Sequence, residues 1–161
     1  MTSILKVSDI QGPSSTAVAM STKPSFFATN NANAWQSFGN TSFNTMPFNT
    51  TEHDIGNNYD TSNYKYTAPI TGSYYFYMQF LHDATTTSSY GECRFRKTSG
   101  GSTTTIAFKH NSFQGDTVAL ATVTYLQAND YIEAQGRVGN TNADDWYAIN
   151  YYAYFCGHLI G

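Results

Sequence analysis

The stretch Tyr66-Thr67-Ala68-Pro69-Ile70-Thr71-Gly72-Ser73-Tyr74-Tyr75-Phe76, continued by Tyr77-Met78-Gln79-Phe80, decides how the rest of the chain is read. Pro69 fixes φ and has no N–H for a central ladder, so it belongs in a turn. Gly72 is expected to supply backbone freedom where the chain reverses. The reading is a short strand ending at Tyr66, a turn on Pro69 and Gly72, and a long strand running to about His82. In the long strand Tyr74, Phe76, Met78 and Phe80 fall on one face, while Ser73, Tyr75, Tyr77 and Gln79 fall on the other. One face is wholly apolar; the other is aromatic with polar tips. Both faces of such a strand call for cover, and another subunit is one candidate for the second.

Working outward, 161 residues suit one domain. The composition sets 13 Tyr and 11 Phe against only 12% charged residues, where about 25% is usual. Thr, Ser and Asn keep the surface wet instead of Lys and Glu, and they favour strands and turns over helices. No amphipathic helix is visible, and an all-β fold follows. The net charge of −3 and the short run Arg94-Phe95-Arg96-Lys97 give no basic patch, so nucleic acid is rejected as a partner. No basic and apolar leader pair marks a secretory signal, and no run reaches the length of a membrane span. Cys93 and Cys156 do not make a disulfide framework. They read as two free thiols in packed strands, a bridge being the minority alternative.

Strands are expected at 26–30, 35–38 and 45–48, the last two forming a short edge pair around Gly39-Asn40. Further strands are expected at 64–66, 73–82, 91–97, 104–109, 116–126, 130–137 and 146–159. Gly100-Gly101 between alternating runs predicts a hairpin turn with positive φ. Short strands at this spacing without intervening helices indicate a sandwich or jelly roll.

The spacing of Phe48, Asp54, Tyr59, Tyr66, Gly72, Tyr74, Phe76 and Met78 resembles the globular-head family of complement component 1q, which shares its jelly roll with the tumour-necrosis-factor family. Tyr66 stands for that family's usual Phe and Met78 for its last aromatic. Leu126-Gln127-Ala128-Asn129-Asp130-Tyr131-Ile132 resembles its Leu-x-x-Gly-Asp-x-Val, with Asn129 in place of Gly. Phe155-Cys156-Gly157-His158-Leu159 resembles its closing Phe-Ser-Gly-x-Leu, and Lys23-Pro24-Ser25-Phe26-Phe27-Ala28 its first strand. The resemblance runs from about Pro24 to the C-terminus. It implies a two-sheet jelly-roll sandwich, a structural role for Asp54, and a homotrimer built around the sheet that holds the long central and final strands.

The trimer reading has independent support in the alternation. Tyr75, Tyr77 and Gln79 on the long strand, with Tyr152, Tyr154 and His158 on the final strand, form a face that a monomer would leave wet. These six residues are the expected interface; the alternative is that loops of the same subunit cover them.

Residues 1–22 differ from the domain at 23–161. Ile4-Leu5-Lys6-Val7-Ser8-Asp9-Ile10 alternates weakly before Gln11-Gly12-Pro13-Ser14-Ser15, and a strand this short needs a partner. It is similar to the leader Ile-Leu-Lys-Val-Asp-x-Ile of marine bacteriophage virion proteins. That likeness implies attachment to a phage capsid or tail protein, assembly in the host cytoplasm and a place on the virion surface.

No catalytic set emerges. His53 and Asp54 point oppositely on a strand, and His82, His110 and His158 are scattered without a ligand spacing. The chain reads as a non-enzyme without a cofactor. One loop carries possible ligands: Asp144 and Asp145 are weak calcium candidates, and family members sometimes hold calcium near the trimer apex. Asn142 and Trp146 would suit a sugar ring, although Trp146 also reads as a core residue. Trp35, near Asn31 and Asn33, is a second ligand candidate. The resulting expectation is a trimeric phage virion head, a capsid knob or tail-fibre tip, that recognises a host-surface glycan or protein. A purely structural decoration protein is the alternative, and a cytokine-like or pattern-recognition ligand is less favoured.

Overall fold

The computed structural model describes residues 23–38, 41–82, 90–112, 116–139 and 146–161. Every regular element among them is a strand: β1 (Ser25–Thr29), β2 (Ala34–Gln36), β3 (Asn44–Thr45), β4 (Thr50–Ile55), β5 (Tyr59–Asp60), β6 (Lys65–Thr67), β7 (Gly72–Leu81), β8 (Gly91–Ser99), β9 (Ser102–Asn111), β10 (Thr117–Leu126), β11 (Tyr131–Val138), β12 (Trp146–Ala148) and β13 (Tyr154–Leu159). They form an all-β jelly-roll sandwich. One sheet has the order β10-β7-β13-β1-β4, and the other runs β5-β6-β11-β8-β9 with β3 also on β11. A small third pair, β12-β2, lies beside them. Residues 1–22, expected to be an attachment leader, lie outside the described residues.

β7 organises the first sheet, pairing along its whole length with β10 and with β13 from Tyr74 to Gln79. Its alternation is realised as read: Tyr74, Phe76, Met78 and Phe80 are fully buried, while Tyr75, Tyr77 and Gln79 are half-buried on the outer face. The inward rings meet those of the opposite sheet. Phe26 stacks on Tyr66 at 4.6 Å and meets Phe155 edge-on at 4.8 Å, and Phe155 also meets Phe95 at 5.7 Å. Burying each such side chain contributes about 1.5–3 kcal/mol, so this aromatic cluster is the main adhesive between the sheets.

The turns explain several residue choices. Gly100 and Gly101 have φ of 55° and 83°, as their hairpin requires. Asn129 takes φ 73° before β11, a conformation that Asn tolerates better than most side chains. Asp54 accepts the backbone N–H groups of Asn58 and Tyr59 at 3.0 and 2.9 Å, fixing the turn into β5. Its role is structural.

Four expectations are corrected. Gly72 is not a reversal point with left-handed φ; it is the first residue of β7 and is buried. A Cβ there would lie 2.7 Å from Leu159 and 3.1 Å from the Gly161 carbonyl oxygen, so the glycine permits the C-terminus to pack closely. The segments near 35–38 and 45–48 do not pair with each other: β2 pairs with β12 and β3 with β11. β4 supplies the outer neighbour of β1 where no strand was expected, because its Thr, Glu and His side chains mask an edge strand. The final strand is broken. The N–H groups of Tyr152 and Ala153 both bond to the Ile149 carbonyl, at 2.9 and 2.8 Å, and this turn separates β12 from β13.

Both chain ends of the described domain sit at one pole of the sandwich. Leu159 N–H donates to the Pro24 carbonyl at 3.0 Å, Lys23 Nζ donates to the Ile160 carbonyl at 2.9 Å, and Ser73 N–H donates to the Gly161 carbonyl at 2.8 Å. The 10 residues of β7 carry the chain from there to the opposite pole, about 30 Å away at ~3.3 Å per residue.

Candidate functional site

The outer face of the β10-β7-β13-β1-β4 sheet brings most of the expected interface residues together. Tyr75 lies across from His158 with ring centroids 5.4 Å apart, and Tyr77 across from Cys156. Tyr77 also stacks on Tyr154 at 5.6 Å, and its hydroxyl donates to Gln79 at 2.8 Å. Tyr75, Tyr77, Gln79, Tyr154 and His158 therefore share one surface. Burial and the neighbouring Tyr154 push the Tyr77 hydroxyl up to about 12, so that hydroxyl stays protonated through the neutral range.

Tyr152 is the exception. It sits in the turn before β13, 38% exposed, with its ring edge-on to Tyr147 at 5.9 Å and to Tyr151 at 4.7 Å. The strand break at Ile149 takes it off the sheet.

Further residues complete the face. Phe27 stacks on Tyr154 at 4.9 Å and lies 6.5 Å from His53, carrying the aromatic row over β1 onto β4. On the other side, Val123 and Tyr125 of β10 are 60% and 59% exposed, opposite Tyr75 and Ser73. The parity of Phe27 against the buried Phe26 and Ala28 was available as a signal. The β10 residues were hidden because both faces of that strand mix small, polar and apolar side chains. A continuous aromatic and aliphatic sheet face of this kind is the mark of a contact surface.

Cys93 is buried in the core and its thiol is pushed up to about 12 by burial; both cysteines are free. Cys156 is half-buried on the outer face rather than in the core, and burial pushes it up to about 11.

The other candidates separate. Trp146 is 1% exposed, stacked against Phe38 at 6.1 Å, so its ring belongs to the core and offers no face to a sugar. Trp35 is 37% exposed and meets Tyr147 edge-on at 5.1 Å. Asn142, Asp144 and Asp145 lie outside the described residues. Among the described residues, no three His, Cys, Asp or Glu side chains gather as a metal-ligand set. The histidines serve separate neighbours: His110 Nδ1 lies 2.8 Å from Glu92, and His158 packs on Tyr75. In the basic run, Arg94 donates to Gln135 at 2.8 Å, and Lys97 pairs with Asp130 at 3.2 Å.

Residues 25–160 match the C1q domain family model. No curated protein matches the chain in sequence. Among solved structures, the globular domain of zebrafish complement 1qA protein is similar at 19% identity and a TM-score of 0.62, covering 86% of this chain and 98% of that one. Murine APRIL at pH 8.5 is similar at 14% identity and a TM-score of 0.65, covering 85% of this chain and 98% of that one. The structure of murine APRIL at pH 5.0 gives 16% identity and a TM-score of 0.64, with 86% and 99% covered. At these identities the solved structures speak for the fold, while the family match spans most of the chain: it belongs to the C1q domain family.

Proposed function

We propose that this chain is a trimeric, non-enzymatic binding head carried on the surface of a bacteriophage particle, where it contacts the host. The observation that carries the reading is the aromatic outer face of the β10-β7-β13-β1-β4 sheet. It spans every strand of one sheet, and its side chains stay partly exposed among the described residues. Burial against two further copies of the same chain satisfies it, in keeping with the closed symmetry usual for homo-oligomers. Family membership supports a recognition role in general terms.

The polarity of the domain supports display. With the chain entering beside Gly161, a leader at 1–22 ties one pole to the particle and the opposite pole faces outward. The phage setting rests on the leader sequence around Ile4-Leu5-Lys6-Val7. Three heads held together raise effective affinity for a surface by avidity, without any deep pocket.

Light scattering on the full chain tests the assembly: a mass three times the 17.8 kDa of one chain is expected, and a monomer overturns it. Immunogold labelling of intact phage particles tests the setting. Gold on the particle surface is the expected result, and unlabelled particles from a phage that carries the gene overturn it.

A further inference from the structure

At the pole opposite the chain ends, four aromatic side chains from separate stretches form a connected row on the surface. Trp35 of β2 meets Tyr147 of β12 at 5.1 Å, Tyr147 meets Tyr152 at 5.9 Å, and Tyr152 meets Tyr151 at 4.7 Å. Trp35, Tyr151 and Tyr152 are 37%, 62% and 38% exposed. All three contacts are steeply inclined, with interplanar angles of 60° to 70°. The rings therefore touch edge to face, and ring surface is left open to solvent.

The rim of this row is amide and carboxylate. The Tyr147 hydroxyl donates to Asn33 Oδ1 at 3.2 Å. Asn150 donates to Glu52 Oε1 at 3.3 Å, next to the exposed Tyr151. Gln79 Nε2 donates to the Tyr151 carbonyl at 3.1 Å, which ties the row to the outer sheet face. Among the described residues, the Lys and Arg side chains that lie over rings do so at Tyr131, Phe43 and Tyr90, none of them in this row.

We infer that the Trp35–Tyr147–Tyr152–Tyr151 row is a binding site for an uncharged glycan chain. A pyranose ring presents an apolar C–H face and a rim of hydroxyls. The first matches an exposed aromatic ring, and the second matches side-chain amides, which donate and accept, and a carboxylate, which accepts. A polyanion would meet Glu52, which pairs with no Lys or Arg among the described residues, and an apolar protein surface would bury the remaining hydrogen-bonding capacity of Asn33, Asn150 and Glu52 without partners. The row's position, turned away from the chain ends, is the one a particle-bound head presents. This inference rests on the binding-head reading and names the ligand class for it.

The test is affinity electrophoresis of the full-length chain in native gels containing dextran, mannan or laminarin, with a dextran sulfate gel as the ionic control. Trp35→Ala and Tyr151→Ala are run beside it, with circular dichroism and light scattering on the same samples. Retardation in at least one neutral gel is expected, with about tenfold weaker retention for each variant at unchanged fold and mass. Because Trp146 is buried, acrylamide quenching of tryptophan emission reports mainly on Trp35, and the retained polysaccharide should shield it.

No retardation in any neutral gel, retardation in dextran sulfate alone, or variants that run like the parent overturn the inference. A Tyr151→Ala chain that loses its oligomeric mass assigns the row to a contact between copies and overturns it as well. A parent chain that is monomeric sinks the trimeric head instead, and glycan retention is scored independently of that result.

Discussion

Tyr77 and Tyr154 stack across the β7–β13 pair with ring centroids 5.6 Å apart and planes 27° from parallel, at the centre of the outer sheet face. Both rings are half-buried in one chain, and the Tyr77 hydroxyl is turned back onto Gln79 instead of towards water. Placing a cation there asks a contact surface to bury an unpaired charge, which costs several kcal/mol. Tyr77→Lys is therefore expected to reduce the solution mass to that of one chain while leaving the β-sheet circular dichroism intact. A Tyr77→Lys chain that keeps the parent's oligomeric mass removes this face from the assembly.

Tyr66 and Tyr59 make a matched pair of core tyrosines. The Tyr59 hydroxyl donates to the Phe48 carbonyl at 3.0 Å, whereas the buried Tyr66 hydroxyl has no hydrogen-bond partner among the described residues. Desolvation by burial is the main cause that raises both groups. An orphaned buried hydroxyl costs about 1–3 kcal/mol, and a satisfied one contributes about 1 kcal/mol. Tyr66→Phe should raise Tm by about 2–4 °C, and Tyr59→Phe should lower it by a similar amount. Equal changes in both variants would show that the Tyr66 hydroxyl is not the liability described.

The legible parts of this protein are those where local alternation and burial coincide. The two faces of β7 and the Gly100-Gly101 hairpin could be read because each depends on residues that are neighbours in sequence. β4 could not: Thr50, Glu52 and His53 are polar side chains on an edge strand, so no apolar period announces it. Nor could the partners of β2 and β3, since Trp35 meets Tyr147 and Thr45 meets Gln135 only through the fold. Tyr152 has the right parity for the interface, yet the turn at Ile149 lifts it off the sheet. Trp35 was a candidate from its neighbours Asn31 and Asn33; the ring row that gives it a role is a product of tertiary structure.

Glu92 of β8 ties together β9 and β11 of the second sheet electrostatically. It is 5% exposed, its Oε1 lies 2.8 Å from His110 Nδ1, and its Oε2 accepts from Arg137 Nε. Burial by itself would raise this carboxyl, but the hydrogen bonds and charges of Arg137 and His110 outweigh it and hold the group below its ordinary value of 4.5. A carboxyl depressed on folding stabilises the fold fully above 4.5, and that contribution fades as pH falls through the lowered folded value. Glu92→Gln should cost about 2 kcal/mol at pH 7, with the gap from the parent narrowing in melts at pH 3. A constant gap across that range would mean that packing, not charge, is lost.

Gly157 and Gly100 put one substitution to two different uses. An alanine Cβ at Gly157 would lie 2.5 Å from the Phe76 ring and 2.9 Å from the Tyr75 carbonyl oxygen. The ring is wedged among Phe26, Tyr66, Phe95 and Phe155, and the carbonyl belongs to the β7–β13 ladder, so neither neighbour can yield cheaply. Gly157→Ala is expected to cost about 1–3 kcal/mol through overpacking. At Gly100 an added Cβ meets nothing within 4 Å, but φ of 55° charges any L side chain a backbone penalty, about 1 kcal/mol. The distinguishing measurement is the variant Gly100→Asn, because Asn accepts left-handed φ and should recover most of the loss at the hairpin. Gly157→Ser, close in size to Ala, should recover nothing, since the space is already filled by Phe76. Urea titrations of the four variants decide the matter; a Gly157→Ser chain as stable as the parent would mean that β13 can move away from Phe76.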